Sequence, residues 1–573
     1  MGKIEKLSKI QLIFIILAFG FLVYLNSLFN GFVWDDEEQI LKNPLIQNFS
    51  NLPLIFKYST FYGGGGAPTG WFYRPMMTLS YLVNYSLFGP NAFGFHFFQL
   101  IIHLLNAILI FLIFSEIFSR EKFSNSKLIG FLAALIFAVH PGNVEAVSYI
   151  AALQEVLYTL FALIALFVLL RLGDYRRRKF LYFLFLGFLI FLSLLSKESA
   201  LFIIPLIFVF LFFFQKEKII GLLFSSILAI LSYFFLRLAV AKVPFLSPNV
   251  GPVAEASFVQ RLMTIPYETV SYLRIIFFPK DLFISQHTLI TSFSDFRFWG
   301  FLLLLLPFFV FLIWFGIREK LKLFFFFAFW FWGSIFLVLN ILPLDMTVAE
   351  RWLYFPLIGF LGMMGVIIEK LKIKNIKLKI FGAFLMVIVI SSFSVRTVLR
   401  NFDWKDGLTL YGHDIRINPD AFDLQNNYGV ELFRVGKIDE AKEHFERSIE
   451  LYPRWWFAYN NLGVVYERKG DLERARKLYE QTLEISDYYL AYENLGFILL
   501  RTASPKEASS FLEKAILKFP QNPRLKVAQA LVYYKEGRQE EAERAAQEAY
   551  FLEPSVQNRA LVEAIMSKKK IDF

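Results

Sequence analysis

The first 400 or so residues are a succession of apolar runs, each about as long as a bilayer is thick, and this limits the fold more than any other feature. A helix of about 20 apolar residues crosses a hydrocarbon core of roughly 30 Å. With no water there to satisfy the backbone, such runs must fold as internally bonded helices. They lie near 11–29, 93–118, 128–139 (continuing toward Val147), 150–170, 180–196, 200–214, 219–240, 297–316, 323–342, 353–368 and 380–395, which makes eleven expected spans. The chain as a whole is 57% hydrophobic and 19% aromatic, with 71 Phe among 573 residues. Ordinary soluble domains are about 45–50% apolar, so a purely soluble enzyme, a disordered chain and a small secreted scaffold are excluded. No small-residue cleavage pattern follows the first run, which is therefore expected to stay as a helix. The lack of Cys removes disulfides, thiolate zinc sites and cysteine nucleophiles.

The net charge of +11 is placed unevenly. Connectors 3–9, 120–127, 171–179, 216–218, 318–322 and 370–379 together hold 21 Lys and Arg. The alternate connectors 140–149, 196–199 and 343–352 hold only Lys197 and Arg351. Short cytoplasmic loops carry the excess of Lys and Arg. The N-terminus is therefore expected in the cytoplasm, and everything after residue 396 outside. This reading treats 262–285 as an external amphipathic segment. Loops 30–92 and 241–296 then also face outward, and the basic charge marks orientation, with no nucleic-acid partner expected.

From Asn401 onward the chain repeats itself with a period near 34. Asn427-Tyr428-Gly429, Asn461-Leu462-Gly463 and Asn494-Leu495-Gly496 correspond, as do Ala441, Ala475, Ala508 and Ala542. Pro419, Pro453, Pro520 and Pro554 mark repeat ends, while the third repeat lacks its turn Gly and end Pro. Small residues belong where paired helices approach closely, and Pro where a helix must stop. The pattern resembles about four tetratricopeptide repeats. Such stacks form concave surfaces that hold peptides, and Tyr459, Asn460, Asn461 and Asn494 are candidates to line one; Asn at such places also bonds to neighbouring turns. The predicted division is residues 1–400 as a membrane domain and 401–573 as a repeat domain. The fold class is all-α, a polytopic bundle followed by an α-solenoid.

Polar residues at the outer ends of the spans are the candidates for chemistry. Four acids, Asp35, Asp36, Glu37 and Glu38, follow the first span, with Gly63 to Gly66 and Tyr73-Arg74-Pro75 further along the same loop. An Asp pair at a membrane surface can take a proton from a hydroxyl, or with Glu38 hold a divalent cation such as Mg or Mn. The bland alternative is an N-cap, with Asp35 or Asp36 opening a short helix at Glu37–Leu41. His140 and Glu145 sit at the outer end of the third span, Lys197-Glu198 between the fifth and sixth, and Glu350-Arg351 between the ninth and tenth. Ionisable groups at membrane depth are costly and mark function, although adjacent acid–base neighbours can also be local ion pairs. Arg and Lys there suit a phosphate-linked lipid, and the acids suit a hydroxyl acceptor.

Val33-Trp34-Asp35-Asp36 followed by Leu41-Lys42-Asn43-Pro44, Tyr73-Arg74-Pro75, His140-Pro141 with Glu145, Ser196-Lys197-Glu198, and Ala349-Glu350-Arg351 with Tyr354, all ahead of the repeats, form an ordered set. It resembles the transmembrane and tetratricopeptide-repeat O-mannosyltransferases and their prokaryotic relatives, which belong to the C-fold glycosyltransferases. The resemblance implies an inverting enzyme of a prokaryotic cytoplasmic membrane. It would move a sugar from a polyprenyl-phosphate-linked donor to a protein or envelope-glycan hydroxyl on the extracytoplasmic face, with the repeats recruiting acceptor or partner proteins. Asp35 or Asp36 would be the base, with Asp35 preferred. Lys197 and Arg351 would hold the donor phosphate, and Arg74, His140, Glu145 and Glu350 would position substrates. Two other classes stand beside this reading. A non-catalytic scaffold presenting repeats would not need eleven spans. A transporter would call for ionisable groups or broken helices near mid-span.

Overall fold

The computed structural model describes residues 7–61, 70–171, 179–245, 251–318, 321–371 and 375–569. The Gly63–Gly66 run and parts of the basic connectors at 3–9, 171–179, 318–322 and 370–379 lie outside the described residues. Among the described residues, 7–60 and 71–410 form one compact unit, and 61, 70 and 411–569 another. Among the described residues every regular element is helical.

Each apolar run folds as a helix. Seven are long and apolar enough to cross a membrane: Lys9–Phe29, Ala92–Arg120, Ile150–Arg171, Lys216–Val240, Phe296–Arg318, Glu350–Lys370 and Ile376–Asp403. Ser126–Val139 and Pro141–Ser148 make an eighth, bent by 58°. The bend has a local cause, because Pro141 removes a backbone donor and holds His140 in an extended conformation. Phe180–Ser196, Glu198–Phe214 and Lys322–Phe336 are shorter apolar helices. The protein is therefore an integral membrane protein. The helix Phe258–Phe277 is not among these candidates for crossing.

One element ends earlier than its hydropathy predicts. The run 323–342 suggests a helix up to Pro343, but the helix stops at Phe336. Asn340 adopts a left-handed φ of 49° and its side-chain oxygen accepts from the N–H of Leu344, 2.9 Å away. The chain from 337 to 349 is thus a folded connector.

The second unit is built from four helical hairpins. They are Phe422–Arg434 with Ile438–Leu451, Trp456–Arg468 with Leu472–Ile485, Tyr489–Thr502 with Pro505–Lys518, and Pro523–Lys535 with Gln539–Leu552. Val556–Met566 caps the stack. The repeated Ala441, Ala475, Ala508 and Ala542 are all buried. Gly436, Gly470 and Gly537 turn their hairpins at φ of 82°, 83° and 78°. The third hairpin manages without such a Gly: Ala503 is extended, Ser504 caps the next helix through the N–H of Glu507, and Pro505 occupies its first turn. Asn461 donates to Asn426 at 2.9 Å and Asn494 to Asn460 at 3.1 Å, so these side chains tie successive hairpins together.

Helix packing in the membrane unit relies on close approach. A Cβ on Gly359 would lie 2.6 Å from the backbone nitrogen of Phe331 and 2.9 Å from Cβ of Trp330, whereas one on Gly382 would meet nothing within 4 Å. Overpacking of this kind costs about 1–3 kcal/mol. Gly359→Ala is therefore expected to lower the thermal midpoint of the detergent-solubilised protein, with Gly382→Ala unchanged or slightly raised. Equal midpoints for the two variants would contradict this packing.

Candidate active site

The turn after the first helix separates the two aspartates by environment. Trp34 has a left-handed φ of 55°, rare for a bulky residue. Its ring stacks on Tyr149 at 5.4 Å and lies 5.7 Å from the Arg351 guanidinium carbon. Asp36 is fully buried, and its two oxygens accept from the N–H groups of Val33 and Ala151 at 2.9 and 2.7 Å. A short helical turn does form at Glu37–Leu41, but the Asp36 side chain does not cap it. Asp35 is half-buried. Its N–H donates to the Tyr149 hydroxyl at 3.3 Å, and its carboxyl is hydrogen-bonded to that same side chain and feels Arg351.

Loss of water pushes the Asp35 carboxyl up to about 6, against the opposing pull of Tyr149 and then Arg351. Burial raises Asp36 well above the usual carboxylate range, outweighing its two backbone N–H bonds. Asp35 is thus the aspartate whose carboxyl is not committed to main-chain donors.

Both predicted phosphate-binding cations are held by buried acids. The N–H of Arg351 donates to Oε2 of Glu145 at 2.8 Å, and its guanidinium bonds to Oε1 of the same carboxylate. Asp345 lies 3.8 Å from the other side of that guanidinium. Lys197 bonds to Glu155 and sits 5.7 Å over the Tyr158 ring. It is within electrostatic reach of both Arg74 and Arg351. Arg74 lies over Phe72 and donates to Glu198 at 3.4 Å. Arg237 donates to the other oxygen of Glu198 at 3.0 Å and also reaches the carbonyls of Trp71 and Pro244. A small, mostly apolar cleft opens beside Lys197, with Tyr158, Phe202, Trp352 and Phe355 in its walls.

The structure therefore brings Asp35, Asp36, Arg74, Glu145, Lys197 and Arg351 into one connected neighbourhood. Two further candidates have other occupations. His140 accepts from the N–H of Gly142 at 3.0 Å and donates to the carbonyl of Ile276 at 3.1 Å, so both ring nitrogens are spent on backbone. Glu350 is buried against Arg400, 3.9 Å away on the helix Ile376–Asp403. Sequence reasoning passed over Glu155, Arg237 and Tyr149. The first two carried a signal, being single ionisable residues inside apolar runs. Tyr149 carried none.

The acids of this neighbourhood do not assemble a cation site. Among the described residues no three His, Asp or Glu side chains are placed to hold a metal ion. Asp36 is committed to backbone donors, and Glu38 pairs with Lys42 at 2.8 Å. These residues do not fit a divalent cation, and no step below passes through one.

Comparison with known proteins follows the same division of the chain. The family model described as dolichyl-phosphate-mannose-protein mannosyltransferase matches residues 74–242, and tetratricopeptide-repeat models match 420–487, 457–517 and 496–556. Protein O-mannosyl-transferase F38B6.6 of Caenorhabditis elegans is 26% identical over 78% of this chain and 63% of its own. Protein O-mannosyl-transferase TMTC3 of Homo sapiens is 25% identical over 75% of this chain and 50% of its own. The chain thus spans between half and somewhat under two thirds of the length of these relatives. Among solved structures, YrrB, a tetratricopeptide-repeat protein, aligns with 28% of this chain and 82% of its own at 19% identity and a TM-score of 0.25. With an all-helical membrane unit carrying the mannosyltransferase-type match, followed by tetratricopeptide repeats, the chain is similar in organisation to the transmembrane and tetratricopeptide-repeat O-mannosyltransferases.

Proposed function

We propose that the protein is a membrane glycosyltransferase that moves a sugar of the mannose class from a polyprenyl-phosphate-linked donor to a hydroxyl acceptor. The reaction takes place on the extracytoplasmic face of a prokaryotic cytoplasmic membrane, with the N-terminus in the cytoplasm. The observation that carries this reading is the meeting of a water-depleted Asp35, whose carboxyl is not committed to main-chain donors, with Arg351, in a neighbourhood that also holds Lys197 and Arg74. A scaffold would have no use for these groups in one place. The names of the relatives support the sugar class.

In the proposed reaction the Asp35 carboxylate takes the proton of the acceptor hydroxyl. The freed oxygen forms a bond to the anomeric carbon from the face opposite the phosphate. The bond from that carbon to the phosphate oxygen breaks, and its electron pair leaves on the polyprenyl phosphate. Configuration at the sugar is inverted. Charge growing on the leaving phosphate is met by Arg351 and Lys197, with Arg74 nearby, which is electrostatic stabilisation of the leaving group. Glu145 and Glu155 hold those cations in place beforehand, so little reorganisation is needed when the charge develops. The repeats recruit the acceptor protein or an envelope partner.

Two predictions separate the aspartates. General-base help is worth about 10²–10⁴-fold, so Asp35→Asn is expected to cut sugar transfer in a membrane assay by that factor while the protein stays folded. Its folded-state proton affinity lies above the unfolded value, so the stability tied to Asp35 is complete at low pH and declines through about 6; removing the charge costs nothing at neutral pH. Asp36→Asn instead turns an amide NH₂ toward a backbone N–H and should lower stability by about 1–3 kcal/mol in thermal unfolding. Full transfer activity in Asp35→Asn would remove that residue from the mechanism.

A pH profile tests the base directly. kcat/KM is expected to rise with pH to a plateau, with a midpoint near 6. Tyr149→Phe deletes a hydrogen bond that favours the ionised carboxylate, and so should move the midpoint to higher pH. A midpoint that moves down, or not at all, would break the link between Tyr149 and the base.

A further inference from the structure

The helix Phe258–Phe277 is polar on the side that faces the protein. Thr264, Glu268, Thr269 and Tyr272 are buried, while Phe258, Val259, Leu262 and Phe277 are exposed. Such an outward apolar face fits a helix bordering lipid, and it leaves the inner polar groups to be satisfied by protein. Glu268 has no exposed surface, and its Oε1 accepts from the side-chain amide of Asn340 at 2.8 Å. Among the described residues Oε2 has no hydrogen-bond partner, and the hydroxyl of Tyr272 one turn along faces the backbone of Ala349.

Asn340 is the centre of the folded connector that ends the helix Lys322–Phe336. Besides Glu268, its amide reaches the carbonyls of Met346 and Thr347 at 3.1 and 3.2 Å. Thr347 in turn donates to the carbonyl of Gln286 from its N–H and its hydroxyl, at 2.8 and 2.9 Å. Asp345 lies on this connector and Arg351 just beyond it, paired at 3.8 Å. Tyr272 feels Glu268, Arg351 and Glu145 together. The buried acid is therefore mechanically tied, through Asn340, to the connector that leads to Arg351.

We infer that Glu268 is a positioning residue: through Asn340 it anchors the connector that presents Arg351, and ionisation of this buried carboxyl, which has no counter-charge paired with it among the described residues, disturbs that anchor and weakens the grip of Arg351 on the donor phosphate. This rests on the reading of Arg351 as a donor-phosphate ligand.

Burial pushes the Glu268 carboxyl up to about 8, against the opposing hydrogen bond from Asn340. The titratable and charged groups of these surroundings are Tyr272 on its own helix, which also feels Arg351 and Glu145, and Asp345, which pairs with Arg351. Among the described residues none forms an ion pair with it. Its folded-state proton affinity exceeds the unfolded value. The stability it lends is therefore complete at low pH and lost as pH rises through about 8. Above that point a buried anion without a counter-charge draws in water, and that movement disturbs the connector.

The test is donor binding by the full-length protein in lipid nanodiscs from pH 6 to 9.5, with farnesyl-phosphate-linked mannose as probe, a phosphodiester of constant charge over that range. Wild-type affinity is expected to fall about tenfold with a midpoint near 8. Glu268→Gln keeps an acceptor for Asn340 but cannot ionise, and should bind evenly across the range. Asn340→Ala, which serves if Glu268→Gln does not fold, should bind about tenfold more weakly at neutral pH and show no alkaline fall. A flat wild-type curve, or an alkaline fall that survives in Glu268→Gln or Asn340→Ala, overturns the inference. Arg351→Ala tells the two readings apart. Unchanged neutral affinity there sinks the phosphate role of Arg351 and this inference with it. Weakened affinity there, with Glu268→Gln still behaving as wild type, sinks the positioning role alone.

Discussion

Glu145 accepts two hydrogen bonds from one residue, the main-chain N–H and the guanidinium of Arg351. Both side chains are buried among apolar helices, where desolvating an ion costs several kcal/mol even after relaxation. An arginine can remain charged there only if its counter-charge is already in place, and the double attachment fixes both where the chain turns and where the cation points. Removing one partner of such a pair typically costs about 3–5 kcal/mol. The surrounding features depend on this lock. Trp34 lies over the same guanidinium, Tyr149 lies against Trp34, and Asp35 takes its orientation from Tyr149.

The same device recurs at each cation of the neighbourhood. Lys197 is matched by Glu155, Arg351 faces both Glu145 and Asp345, and Arg74 and Arg237 share the single carboxylate of Glu198. Each of these cations is thus held by an acid of the chain itself. A more open cluster of unpaired cations would have been costly to keep at membrane depth without a ligand.

The sequence alone made the architecture legible because both of its periodicities are coarse. Apolar runs and a 34-residue repeat survive local irregularity, so even the third hairpin, which replaces its turn Gly with Ser504 and Pro505, keeps its place in the stack. The site was legible in its residue types and not in its pairings. Glu145 and Arg351 stand 206 positions apart, and nothing in either neighbourhood announces the other. Glu155 and Arg237 stand out as single ionisable residues in apolar runs, but neither run announces the partner, Lys197 or Glu198. The difference between Asp35 and Asp36 depends on the N–H of Ala151, 115 positions away. His140 looked like chemistry because His so often is, but its ring is the clamp that turns a helix at Pro141. The apolar run up to Leu342 hid a connector, because the polar group that folds it, Asn340, is a single residue that hydropathy averages away.

The strained backbone at Trp34 is most informative beside the ordinary backbone next to it. A bulky residue in the left-handed region costs of order 1–3 kcal/mol and persists only where its surroundings compel it. Here the ring gains a stacked partner and a cation, and the chain then places two consecutive acids in unlike settings, one saturated by main-chain N–H groups and one facing a phenol and a guanidinium. Adjacent carboxyls in a relaxed turn would share solvent and titrate alike. Separating them gives a structural acid that anchors the turn and a second acid kept short of donors, which is the condition for a carboxylate that must accept a proton from a substrate. Backbone strain at one position thereby supports a chemical difference at the next.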